Sequence, residues 1–395
     1  MTEGNGRAIS SGVRGWTARD WRDFQHTGPG TLAGVYLRQF WHPVFASGDL
    51  QPGVPVPLRI MDEELTIFRG HSGTPYLIQA RCPHRGMLLH VGWVADDTIR
   101  CFFHGWRYEG STGQCVEQPG EDEAFKEKIC LRTYPVAEYL GLIFAYLGEG
   151  EAPPLPRYAD FEAGGFNEVR KYEVSCNYFQ HIEDNPVHSL FVHGARRGVP
   201  KPPPRVWVEE TDWGHATFAE YPGYPGVRVH HRGMPNISHV VNQSRDNTPD
   251  QPHLSWTLPI DDQHLVNFGV SLVPLEGEDA ERYRARRADW ASQGGRTYDE
   301  TLVQAVLEGR MRIEEVRQRT DLDIGRIEDG ISYLGIRPIV DHSAEHLGRT
   351  DVSTTMFRNL WVRELRNLAE GKPLKQWRRT ETCVATPQTV PMQPV

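Results

Sequence analysis

Cys82-Pro83-His84 and Cys101-Phe102-Phe103-His104-Gly105-Trp106 stand either side of the sixteen residues Arg85 to Arg100, and this stretch decides how the whole 395-residue chain is read. Two thiolates and two imidazoles spaced C-x-H and C-x-x-H suit a [2Fe–2S] centre in which one iron takes both cysteines and the other both histidines. The mixture matters because neutral imidazole donates less negative charge than thiolate. The potential therefore rises to roughly −150 to +300 mV, from about −400 mV for an all-cysteine centre. The competing reading is a small tetrahedral zinc ribbon. Gly86 after the first half and Gly105-Trp106 after the second favour two short loops closing over a cluster.

Working outward, the length fits two domains rather than one small core. A net charge of −9 and a pI near 6.0 give no basis for a nucleic-acid partner, which would require clustered Lys and Arg. Arg196-Arg197 and Arg378-Arg379 are short basic pairs that read as solvated surface. Met1 to Arg14 lacks an apolar segment of the signal-peptide kind, and no apolar run approaches the ~20 residues that span a bilayer. The expectation is a soluble, cytoplasmic protein without a membrane partner. Of six cysteines, Cys115, Cys130, Cys176 and Cys383 have no paired spacing and are expected as thiols, with Cys115 and Cys130 packed near the cluster.

In chain order, residues 1–34 read as a loose arm leading into a helical or coil segment around Trp16 to Phe24. From 35 to 150 short alternating runs broken by Gly, Asp and Pro predict an all-β unit, Gly141-Leu-Ile-Phe-Ala-Tyr-Leu147 being its clearest buried strand. Gly148 to Pro156 is the expected boundary. A second unit, 151–378, should begin with a strand from Tyr172 that turns into a helix reaching Gly194. Three antiparallel strands at 205–221, 226–241 and 253–274 follow, then charged helices at 279–289 and 298–318. A last helix should be capped near Thr350-Asp351 and end at Gly371, leaving 379–395 as a mobile tail. The fold class is α+β: an N-terminal all-β cluster domain, then a catalytic domain with an antiparallel sheet covered by helices.

The second chemically dense stretch is Asn177-Tyr-Phe-Gln-His181-Ile-Glu183-Asp184-Asn185-Pro186-Val-His188-Ser-Leu-Phe-Val-His193. His188 and His193 lie five apart, about 140° around an ideal helix, so both face one metal only where the helix widens or ends. A mononuclear Fe(II) that activates O₂ takes two His and one carboxylate on one face. Composition does not choose that carboxylate among 52 acidic residues. His181, two turns before His188, reads as a packed, hydrogen-bonded histidine.

The Cys82–Trp106 pattern resembles the Rieske domain of aromatic-ring-hydroxylating oxygenases, and the similarity extends from about Gly28 to Trp377. Glu328-Asp329 through Ile339-Val-Asp341-His-Ser-Ala-Glu345-His-Leu-Gly348 looks like the C-terminal signature of the phthalate-dioxygenase-like members, in which an acid twelve residues before that Asp binds iron. The resemblance therefore implies Cys82, His84, Cys101 and His104 as cluster ligands and His188, His193 and Asp329 as ligands of Fe(II). It also implies a ring-shaped homotrimer in which one subunit's cluster feeds its neighbour's iron. Asn177-Tyr-Phe-Gln180 and the His-x₄-His pair are similar to the aryl-ether O-demethylase branch. In one respect the chain departs from the pattern: Asn185 stands three residues before His188, where the family usually carries a bridging Asp. Asn makes hydrogen bonds but bears no charge. Asn185 is the expected bridge and Asp184 the alternative.

The implied activity is that of the terminal oxygenase of a multicomponent monooxygenase using O₂ and an aromatic substrate, with O-demethylation of a methoxy-arene leading. Ring dihydroxylation, N-demethylation or another C–H hydroxylation at the same iron are alternatives, and a pure electron carrier or zinc-binding protein stands further off. No G-x-G-x-x-G loop is present, so NAD(P)H is expected to act through a separate reductase or ferredoxin.

Overall fold

The computed structural model describes residues 16–184, 202–223, 226–242, 249–292 and 297–378. The first unit holds eleven strands: β1 Trp41–Ala46, β2 Val56–Ile60, β3 Glu63–Arg69, β4 Pro75–Gln79, β5 Trp93–Ala95, β6 Thr98–Arg100, β7 Arg107–Glu109, β8 Cys115–Glu117, β9 Thr133–Tyr134, β10 Val136–Tyr139 and β11 Leu142–Tyr146. They form three antiparallel sheets, ordered β1-β11-β10, β2-β3-β4-β9 and β5-β6-β7-β8. Residues 147–157 contain neither helix nor strand.

The second unit is built on a seven-stranded antiparallel sheet, ordered β12-β18-β17-β16-β15-β14-β13. Its strands are β12 Phe166–Val174, β13 Arg205–Glu210, β14 Gly214–Glu220, β15 Arg228–Gly233, β16 Ile237–Asn242, β17 Gln251–Pro259 and β18 Leu265–Val273. Each of the three long strands expected from sequence is in fact a hairpin of two. Strands average five to six residues, and the runs are broken at Asp212-Trp213, Met234-Pro235-Asn236 and Asp261-Asp262-Gln263.

Alternation gives this sheet two different faces. Leu254, Trp256 and Leu258 of β17 and Val266, Phe268 and Val270 of β18 are buried on one. That face meets the first unit: Phe144 of β11 packs edge-on to Trp256 at 5.5 Å, and Tyr158 does so at 5.7 Å. One core thus runs through both units. A separate small core under the cluster loops gathers Phe68, Ile78, Leu89, Ile99, Trp106 and Tyr108 around Cys82 and Cys101. The opposite face of the large sheet carries His215, Thr217, His230, Arg232, Thr257 and Asn267, all buried.

Helices cover the polar face. Val352–Ala369 buries Phe357, Leu360, Trp361 and Leu365 and ends at Gly371, whose φ of 65° needs no Cβ. The expected cap is corrected: Asp351 occupies the N-cap position, but its carboxylate accepts from Gly348 N at 2.6 Å, not from a helix N–H. The segment expected at 298–318 is two helices, Glu300–Leu307 and Ile313–Arg317, parted at Gly309 with φ 73°.

The loose arm also needs correction from residue 16 onward. Leu32–Leu37 is a helix with five buried residues, and it straddles the expected boundary at 34/35. Phe24 stacks on Phe179 at 4.1 Å, while Tyr178 and Asn177 donate to the carbonyls of Phe24 and Gln25 at 2.7 and 2.8 Å. Apolar side chains in a stretch without periodicity had found a partner far away in sequence. The tail from 379 lies outside the described residues.

Candidate active site

Two loops of nearly equal design form the first site. In each, the Gly four residues on returns its N–H to the cysteine carbonyl: Gly86 to Cys82 at 2.9 Å, and Gly105 to Cys101 at 3.1 Å. In each, the cysteine N–H bonds the carbonyl five residues on, Met87 at 2.9 Å and Trp106 at 2.8 Å. Both glycines sit at positive φ, 76° and 73°, where a side chain would be strained. Identical turns leave each cysteine at the inner root of its loop and each histidine at the tip.

The donor set fits a mixed-ligand cluster. Cys82 and Cys101 are both 2% exposed. Without a metal, burial pushes the Cys101 thiol above its usual value, so a thiolate there requires a cation. The His84 and His104 rings lie 4.6 Å apart at the surface, His84 stacked flat on Trp106 at 4.2 Å. The Tyr108 hydroxyl lies 3.0 Å from Cys82 Sγ, and burial raises its pKa, so it remains a donor. Cys115 is buried in the same small core as a thiol raised by burial, whereas Cys130 is exposed.

The second site is assembled from distant elements. Asp329 lies on the helix Ile324–Gly335, which sequence reasoning missed. Its signals were present: Asp323 caps it by accepting from Arg326 N at 3.3 Å, and Ile324, Ile327, Ile331 and Leu334 form the apolar stripe. Glu328, the neighbouring carboxylate, is buried and paired with Arg317 at 2.8 Å. Asp329, the next residue, is exposed, and its charge acts on Tyr172 and Tyr333.

The Asn177–Gln180 stretch bolts that helix to the start of the histidine segment. Asn177 caps the short helix Tyr178–Ile182 by accepting from Phe179 N at 3.0 Å. Gln180 donates to the carbonyls of Tyr333 and Arg337, both at 3.0 Å, holding the end of the Asp329 helix. His181 is held between the Tyr172 hydroxyl at 3.3 Å and Thr257 at 3.2 Å, and burial drops its pKa to about 3, so it is neutral. Of the helix expected to reach Gly194, the described part is Tyr178–Ile182, and the stretch from 185 on lies outside the described residues. Asn185, His188 and His193 lie outside the described residues.

Asp184 is described and exposed. Tyr333 donates to its carboxylate at 3.2 Å, and its carbonyl accepts from Arg232. Immediately before it, Glu183 meets Arg358, which also pairs with Glu345. Glu183, His342 and Glu345 are close enough together to hold a metal ion. Arg358 occupies both carboxylates, with bonds of 2.8 Å to Glu183 and 3.2 Å to Glu345, so the group is an ion-pair network. Burial raises the Glu183 pKa, but bonds from His342 and Arg358 outweigh it and the net shift is downward.

Residues 40–135 match the family described as Rieske [2Fe-2S] domain. The phenoxybenzoate dioxygenase alpha subunit of Ectopseudomonas oleovorans is 36% identical over 281 residues, 64% of this chain and 68% of that protein. The 5,5'-dehydrodivanillate O-demethylase oxygenase subunit of a Sphingobium strain is 26% identical over 382 residues, 88% and 80% of the two chains. Among solved structures, the terminal oxygenase of carbazole 1,9a-dioxygenase from Nocardioides aromaticivorans superposes with a TM-score of 0.62 at 18% identity, covering 89% and 98%. The chain belongs to the Rieske non-haem iron oxygenases. It is accordingly an oxidoreductase whose cofactors are a [2Fe–2S] cluster and Fe(II). Among the described residues no helix is long and apolar enough to cross a membrane.

Proposed function

We propose that this chain is the terminal oxygenase of a multicomponent system that hydroxylates an aromatic substrate, the leading reaction being O-demethylation of a methoxy-arene. Cys82, Cys101, His84 and His104 hold the cluster, and His188, His193 and Asp329 hold Fe(II). When bound, the two centres supply one-electron transfer and O₂ activation. The observation that carries the reading is the pair of matched loops in one unit together with, in the other, an exposed carboxylate, Asp329, on a helix that Gln180 ties to the start of the histidine segment.

In the reaction, a methoxy C–H bond becomes C–OH while the other oxygen atom leaves as water, taking two electrons and two protons. The hemiacetal then collapses to a phenol and formaldehyde. Electrons come from NAD(P)H through a separate reductase or ferredoxin. The chain acts as a homotrimer, and Phe102 and Phe103, 60% and 52% exposed beside His104, provide an apolar rim for such a contact. Asn185 bridges the two sites across it, with Asp184, already bonded to Tyr333, as the alternative.

Turnover with a matched reductase against methoxylated, N-methylated and plain arenes tests the reading: formaldehyde from the methoxy-arenes supports it. A cis-diol from plain arenes would instead support ring dihydroxylation, the reading favoured by the name of the 36%-identical relative.

A further inference from the structure

We infer that Arg232, with His215 and His230 beside it, forms a binding site for an anionic group on the substrate, so that the preferred substrates are arene carboxylates. This deepens the reading above and rests on it for the aromatic ring.

Three side chains converge on the polar face of the large sheet. Arg232 and His230 lie two apart on β15 and therefore share a face, and His215 of β14 stands directly opposite Arg232 in the ladder. Their exposures are 6%, 5% and 1%. Arg232 has five N–H donors, and the acceptor the structure gives it is the Asp184 carbonyl. Among the described residues no carboxylate lies within ion-pair distance of it. The Asp184 carboxylate is exposed and engaged by Tyr333, and Glu183 is neutralised by Arg358. A buried guanidinium without a carboxylate is costly, and its burial brings its pKa down to about 10, still charged at neutral pH.

The histidines supply a second, independent observation. His230 Nε2 meets Ser238 at 2.9 Å, and His215 Nε2 meets Ser353 at 3.1 Å. The Nδ1 atom of each is buried with no hydrogen-bond partner. Burial beside Arg232 keeps both imidazoles neutral, His215 with a pKa of about 3. In the tautomer whose Nε2 accepts from the serine hydroxyl, each Nδ1 carries the proton and can donate to an incoming oxygen. A carboxylate satisfies a guanidinium and two N–H donors at once. A methoxy oxygen or an unsubstituted ring does not.

The group lies at the correct end of the molecule. The residue whose carbonyl Arg232 holds, Asp184, is bonded to Tyr333, one helical turn after Asp329.

Equilibrium binding, which requires no turnover, separates this inference from the oxygenase reading. The cofactor-loaded protein is titrated calorimetrically with 2-, 3- and 4-methoxybenzoate and with the matching benzamides. The wild type should bind at least one acid about 100-fold tighter than its amide. Arg232→Met should weaken that acid about 100-fold and leave the amide within about threefold, with Arg232→Lys intermediate. Equal binding of acid and amide by the wild type, no binding of any acid, or parallel loss of both by a variant whose circular dichroism is unchanged would overturn it. Should Arg232→Met fail to fold, the wild-type acid-to-amide ratio decides. Formaldehyde assays bear only on the reaction, so demethylation could fail while the carboxylate preference stands.

Discussion

The cluster loops and the proposed iron site face the same problem, holding metal ligands still, and meet it by opposite means. In the first, backbone does the holding: each loop closes on its own cysteine through two main-chain bonds within six residues. In the second, side chains hold elements together across the chain, Gln180 reaching Tyr333 and Arg337, and Arg358 reaching Glu183 and Glu345. The local solution is robust to changes elsewhere, whereas the distributed one depends on every strut.

The sharpest way to break that comparison is to remove one proposed ligand from each site. Asp329→Ala should abolish turnover, by at least about a thousandfold given that the iron supplies the chemistry, and iron analysis should fall from three to two atoms per chain. The visible absorption of the cluster should be untouched. His84→Ala should do the reverse, bleaching the protein while Fe(II) still binds. If Asp329→Ala also bleached the cluster, the two sites would not be independent.

A strut should matter next. Arg358→Met leaves Glu183 buried without its guanidinium and with only His342 beside it, a change expected to cost about 3–5 kcal/mol, read as a fall in thermal midpoint and in mononuclear iron while the cluster spectrum persists. The same pair gives a pH signature. Because the Glu183 carboxyl is held below its ordinary value of 4.5, its contribution is complete above that pH and is lost as pH falls below it. Glu183→Gln should flatten that loss in unfolding curves taken between pH 5 and roughly pH 3.

The smallest effects refine the coupling between sites. Asn185→Ala should slow single-turnover oxidation of the cluster without altering its spectrum, and unchanged transfer would remove Asn185 from the path in favour of Asp184. Tyr108→Phe deletes one hydrogen bond to a cluster sulfur. A bond worth about 1 kcal/mol corresponds to roughly 40 mV for one electron, and the potential should move down, since the bond favours the more negative reduced cluster. Redox titration of the purified variant measures it.

The same contrast explains what was legible in the chain. Cys82 to Trp106 could be read because its ligands, turns and glycines are contiguous, and the local hydrogen bonds follow from them. The all-β first unit and the sheet-plus-helix second unit were legible from alternation. Strand limits were not, since Met234-Pro235-Asn236 and Asp261-Asp262-Gln263 are short interruptions in runs that otherwise look continuous. The Asp329 helix was hidden by the two glycines of Ile-Gly325-Arg-Ile-Glu-Asp-Gly330, although Gly330 is there because Tyr298 packs 2.9 Å from where its Cβ would be. The links of Arg358 to Glu183 and of Arg232 to Asp184 gave no signal, because those partners lie 175 and 48 residues away.

The apolar side of the seven-stranded sheet carries a consequence for anyone dissecting this enzyme. Phe144 and Trp256 are each other's shelter, so cutting the chain near residue 150 does not liberate a tidy electron carrier. It strips two greasy surfaces at once, and both fragments should clump. Electron entry and oxygen chemistry are here welded into one folding unit, and exchange of either half between relatives would have to carry its matching wall along.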